Sequence, residues 1–123
     1  MLEALNEKAG EGALILVEGR RDAEALERLG VKGEFLCVKA GGSLPETLSR
    51  LELEAEGREI IVLTDFDRGG VELAMQVSRK LEEKGFHPNL EFWLRLKALM
   101  SRQVKDMEGL ASYLENVKRK LSL

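Results

Sequence analysis

At 123 residues the chain has room for one domain built on one hydrophobic core. Nineteen Lys and Arg against 22 Asp and Glu leave a net charge of −3, which is not the electrostatic footprint of a protein that grips long nucleic acid unaided. A single cysteine, Cys37, excludes an internal disulfide pair and suits a reducing compartment; with no signal-peptide pattern and no apolar run of membrane length, the chain is expected to be cytoplasmic.

A short polar helix is predicted over 2–8. The apolar run over 13–17 predicts a buried strand, followed by a helix with Asp22 as N-cap, Ala23, Leu26 and Leu29 as its buried stripe, and Gly30 as its stop. A second strand is expected over 34–38, with Cys37 as a small buried hydrophobe. The turn Lys39-Ala40-Gly41-Gly42 delivers Ser43, which with Glu46 forms an S-x-x-E capping box for a helix over 44–55, closed by Gly57. A third strand over 59–64 leads into a helix whose Val71, Ala74, Met75 and Leu81 face the core until Gly85. Apolar residues at 90, 92, 94 and 96, with Glu91, Trp93 and Arg95 between them, predict a half-buried edge strand. The last helix starts at Asp106 as cap and runs through Met107, Leu110, Ala111, Leu114, Val117 and Leu121. Strands alternating with helices call for right-handed crossovers and a mainly parallel four-stranded sheet.

The chemistry concentrates in Ile60-Ile61-Val62-Leu63-Thr64-Asp65-Phe66-Asp67-Arg68-Gly69-Gly70. A strand alternates its side chains, so carboxylates at i and i+2 emerge on one side and can share a hard cation, while the glycines let the chain turn closely past what the cation holds. The same acids also suit an ordinary helix cap. An earlier run, Leu14-Ile15-Leu16-Val17-Glu18-Gly19-Arg20-Arg21-Asp22, repeats the pattern. For the two strand ends to meet at the carboxyl edge of the sheet, the first and third strands must be neighbours, which favours the order 2-1-3-4.

These motifs resemble those of the Toprim family, the catalytic domain shared by type IA and type II topoisomerases, bacterial-type primases, the 5S ribosomal RNA maturase and small stand-alone proteins. The matching residues are Glu18, Gly19 and Asp22 in the first motif and Asp65, Asp67 and Gly70 in the second. The resemblance implies a three-layer, Rossmann-like α/β fold with a mainly parallel four-stranded sheet flanked by helices. The whole chain, 1–123, is then one domain, with a core over about 13–90 and an edge strand and helix over 90–121. A chain of this size has no room for the zinc, template-binding or breakage domains that accompany the module in primases and topoisomerases.

The resemblance also implies Mg²⁺ or Mn²⁺ on Asp65 and Asp67, with Glu18 reaching across as general acid/base or as a further ligand. Asp22 divides between metal work and N-capping, and Arg68 between phosphate neutralisation and solvent. An oxygen-only donor set suits Mg²⁺ or Mn²⁺ far better than zinc, which favours Cys or His, and the lone His87, before Pro88, reads as structural. Gly19, Gly41, Gly42 and Gly70 are candidates for close backbone approach to a phosphate, with Lys39 as a nearby charge, although the Gly41-Gly42-Ser43 turn also serves a capping box. Lys105-Asp106-Met107-Glu108-Gly109 looks like the tail of small stand-alone Toprim proteins, and capping alone explains Asp106. Trp93 stacks a base, meets a partner or lies under the last helix. One departure concerns Glu72: the family commonly places an acid close behind the second motif's glycine, and here Val71 intervenes.

Two functions follow as expectations. One is an Mg²⁺-dependent nuclease or nucleotidyl-transfer module acting on RNA or DNA. The alternative is a non-catalytic regulatory module that holds a nucleotide or nucleic-acid phosphate for a protein partner supplying substrate binding. A haloacid-dehalogenase-type phosphatase also ends a strand in D-x-D, but no Asp-Asp pair follows Asp67.

Overall fold

The apolar runs that follow Ala13 and Glu59 form the two central strands of a parallel sheet, and each is buried on both faces, as a strand covered by helices on either side must be. The computed structural model describes residues 2–38, 43–100 and 102–121. In chain order the elements are α1 (Leu2–Gly10), β1 (Leu14–Val17), α2 (Arg20–Arg28), β2 (Glu34–Cys37), α3 (Leu44–Glu54), β3 (Ile60–Val62), α4 (Arg68–Glu83), β4 (Pro88–Asn89), α5 (Glu91–Met100) and α6 (Met107–Leu121). The strand order is β2-β1-β3-β4 with every pairing parallel, as the meeting of the two motifs requires. Leu14 pairs with Glu34 on one side and Ile60 on the other, so β1 and β3 end level at their carboxyl ends. The helices complete the layers: α3 packs beside α4, α6 along α2, and α5 against β3.

Local chemistry sets the helix starts. Ser43 Oγ accepts from Glu46 N at 3.4 Å, and Asp67 Oδ1 accepts from Gly70 N at 2.7 Å. The cap of α2 is Gly19, not Asp22; Asp22 sits three residues on and its Oδ2 accepts the Gly19 N–H at 3.1 Å. The reason is that the helix begins immediately after Gly19, which places the acid inside its first turn. Met75, expected in the core, is 48% exposed, because the buried stripe of α4 runs through Gly70, Ala74, Val77, Ser78 and Leu81 and leaves position 75 a full helical step to the side.

The expected edge strand over 90–96 is a helix. Strand β4 is only Pro88–Asn89, and Asn89 Oδ1 then accepts from Glu91 N at 2.8 Å, turning the chain into α5. Phe92, Trp93 and Leu96 are buried together while Leu94 is 55% exposed; adjacent residues sharing one face is helical geometry. Among the described residues no helix is long and apolar enough to cross a membrane.

Candidate metal centre

Strand β1 delivers Glu18 and strand β3 delivers Thr64 and Asp65 to the same edge of the sheet. Glu18, 47 positions earlier in the chain, accepts the Asp65 N–H on Oε1 at 3.0 Å and is itself buried. Leu63 N donates to Leu16 O at 2.8 Å, so the β1–β3 pairing continues up to the acids.

The second motif is held from behind. Thr64 is fully buried: its Oγ1 donates to Gly70 O at 2.8 Å, and its carbonyl accepts the indole N–H of Trp93 at 2.8 Å. Phe66 N donates to Lys105 O at 2.6 Å, and the Met107 N–H bonds the Asp65 carboxylate. Trp93 is therefore a buried anchor of the acidic loop. The stacking or partner-contact roles open to it on an edge strand are removed, because 1% of its surface reaches solvent.

Gly70 has a steric reason for its identity. A Cβ there would lie 2.0 Å from Asp65 O and 2.4 Å from Asp65 C, so only glycine lets the first turn of α4 pass over the Asp65 peptide. Gly19, at the start of α2, presents its N–H to Asp22. Gly41, Gly42 and Lys39 lie outside the described residues.

The acids crowd one another. Burial first, then the charges of Asp22 and Glu18, opposed by the Met107 hydrogen bond, and finally Asp106 push the Asp65 carboxyl up to about 7. Asp22 is also raised, by burial above all, against the Gly19 hydrogen bond and together with the charges of Glu18, Asp106 and Glu108. Asp106 and Glu108 enter this field from the start of α6. Asp106 does cap α6, with Oδ1 accepting Gly109 N at 2.6 Å, yet it also faces Asp22 and Asp65. The available signal was the i, i+2 acid pair Asp106-x-Glu108, a spacing already seen in Asp65-x-Asp67.

Asp65 Oδ1 is buried and has no hydrogen-bond partner, the condition of an oxygen that awaits a donor or a cation. Among the described residues no three His, Cys, Asp or Glu side chains stand together as a finished ligand cage. The acids at this edge offer oxygen donors alone, the chemistry that suits a hard divalent cation. In front of the acids lies an open cleft of about 380 Å³ lined by Glu18, Asp65, Asp67, Gly69, Glu72, Leu73 and Gln76. Asp67 is solvent-exposed at its mouth, with Oδ1 engaged in capping α4. Arg68 is 94% exposed and pairs with Glu72 at 3.3 Å, so neither side chain lies on the buried carboxylates.

A family model, described as the Toprim domain, matches residues 12–89. The chain belongs to the Toprim domain family. The match contains both acidic motifs and stops before α5, α6 and the segment between them, which anchor Thr64, Asp65 and Phe66. Likeness to archaeal relatives extends further along this Toprim chain. It is 35% identical to the UPF0292 protein of Methanosarcina barkeri over 98% of this chain and 82% of that one. The UPF0292 protein of Methanocaldococcus jannaschii is 35% identical over 92% and 86%, and that of Thermococcus kodakarensis 40% identical over 81% and 71%. A solved structure, a putative protein from Aquifex aeolicus, superposes with a TM-score of 0.70 at 25% identity, covering 87% of this chain and 92% of that one.

Proposed function

We propose that this Toprim domain performs Mg²⁺- or Mn²⁺-dependent phosphodiester chemistry, of nuclease or nucleotidyl-transfer type, on RNA or DNA. The observation that carries the reading is the Glu18 Oε1 to Asp65 N contact at 3.0 Å, which joins two acidic strand ends beside an unpartnered buried carboxylate oxygen. Asp65 and Asp67 are the candidate cation ligands, Asp65 oriented by the Met107 N–H and by the Trp93 anchor behind it, with Asp22 as a further acid of the shell. When bound, the cation neutralises charge on phosphate oxygens and acidifies a bound water. Glu18, whose Oε1 accepts the Asp65 N–H, exchanges a proton with the attacking or leaving oxygen. Arg68, exposed in the first turn of α4, supplies positive charge to an incoming phosphate once it leaves Glu72.

Glu18→Gln retains an oxygen for the Asp65 N–H, so it is expected to keep the fold and Mn²⁺ binding while lowering turnover of end-labelled RNA or DNA by about 10²–10⁴-fold. Full activity in this variant would remove Glu18 from the chemistry. The net charge of −3 favours a second reading, in which a partner supplies substrate binding and this module holds metal and phosphate without turnover. Wild-type chain that binds Mn²⁺ yet cleaves and extends no oligonucleotide would support that alternative.

A further inference from the structure

The cleft has two walls of different chemistry. One is the acidic edge already described. The other is the first turns of α4, where Gly69, Glu72, Leu73 and Gln76 follow the i, i+3, i+4, i+7 spacing of a single helix face. Leu73 is half-buried against the core, Gln76 is exposed, and Glu72 is tied to Arg68. An apolar side chain adds nothing to the holding of a cation, and the amide beside it carries N–H donors as well as an acceptor. The pair matches a nucleobase, whose face is apolar and whose edge carries the donors and acceptors that a Gln amide pairs with.

Gly69 supplies an independent observation. Its neighbour Gly70 is demanded by the backbone of Asp65, but a Cβ at Gly69 would meet only Asp67 Oδ1 at 3.6 Å, an ordinary contact. Gly69 is also absent from the glycines that adopt positive φ. Glycine inside a helix is less stable than alanine, so the fold gains nothing from this residue. What it does is leave bare backbone on the cleft wall beside the acids, where a phosphate can approach the first turn of the helix.

We propose that Gly69, Leu73 and Gln76 form a nucleotide subsite, taking one unpaired nucleotide with its phosphate over the bare backbone at Gly69, its base on Leu73 and its base edge on the Gln76 amide. This rests on the phosphodiester reading and sharpens it to single-stranded ends or loops. A cleft of about 380 Å³ lies at the low end of small-ligand pockets. A base stacked in a duplex offers only its groove edges, so a base reaching Leu73 with its face must be unstacked.

The test uses the full chain, saturating Mn²⁺ and the common ribonucleoside 5′-monophosphates, with binding followed by equilibrium dialysis and amide NMR. Gly69→Ala should raise the melting temperature yet weaken mononucleotide binding by about tenfold or more. Gln76→Ala should change the ranking of the bases, and Leu73→Ala should weaken them all. Variants that bind as the wild type does, or a Gly69→Ala that lowers the melting temperature, overturn the subsite. A wild type that processes oligonucleotides in a Glu18-dependent manner but binds no mononucleotide overturns the subsite alone. A wild type that binds Mn²⁺ but neither mononucleotide nor oligonucleotide overturns the phosphodiester reading with it.

Discussion

Asp65→Asn should stabilise the metal-free protein, and only at neutral or alkaline pH. The ordinary carboxyl value for Asp65 is 3.8, and burial among acids raises it to about 7 in the folded chain. Between those values the native state holds a proton that the unfolded chain has released, so native stability falls as pH rises from about 4 to about 7. The full shift corresponds to about 4 kcal/mol. Solvent reaches this half-buried side chain, and screening reduces the penalty to about 1–2 kcal/mol. An amide at position 65 keeps an acceptor for the Met107 N–H and carries no charge to repel Glu18 and Asp22. Urea unfolding in a chelator, followed by far-UV circular dichroism, should show the midpoint of the Asp65→Asn variant above wild type by about 0.5–1 M at pH 8 and almost no difference at pH 4. Millimolar Mn²⁺ should reverse the order by stabilising wild type alone, because a ligand that binds only the native state shifts its equilibrium. A gain of equal size at both pH values, or a loss at pH 8, would refute the crowded-acid account.

Gly70→Ala forces a Cβ to 2.0 Å from Asp65 O and should cost about 3 kcal/mol in urea unfolding, the opposite sign to alanine at neighbouring Gly69. Trp93→Phe keeps the ring but strips the Thr64 carbonyl of its indole donor, so stability should fall by about 1–3 kcal/mol and calorimetric Mn²⁺ affinity should weaken with it. Unchanged Mn²⁺ affinity in a folded Trp93→Phe variant would show that the anchor serves the core and not the acids.

Much of this molecule could be read along the chain because the relevant signals are local. Continuous apolar runs before Glu18 and Asp65 mark strands covered on both faces, and a carboxylate that ends such a run must emerge at the carboxyl edge of the sheet. Asp67 and Ser43 cap helices by hydrogen bonds that span three residues, so their roles are written in short spacings. The strand order followed from one requirement, that the two acidic ends meet.

Residues 88–100 show where local pattern stops deciding. Apolar positions at 90, 92, 94 and 96 satisfy a period of two, while Phe92, Trp93 and Leu96 satisfy a helical face equally well. The choice falls to the space beside β3, which Trp93 fills while bonding a carbonyl 29 residues away. The electrostatics of the centre are likewise tertiary. In sequence Asp22 divides between metal work and capping and Asp106 is explained by capping alone, and only the packing of α6 along α2 brings Asp106 and Glu108 into the field of Asp22 and Asp65. Spacing along the chain determined which acids sit at strand ends and helix starts, because caps and alternation act over a few residues. Which of those acids feel one another, and which glycine the fold requires, was decided by distances of a few ångströms between segments far apart in sequence.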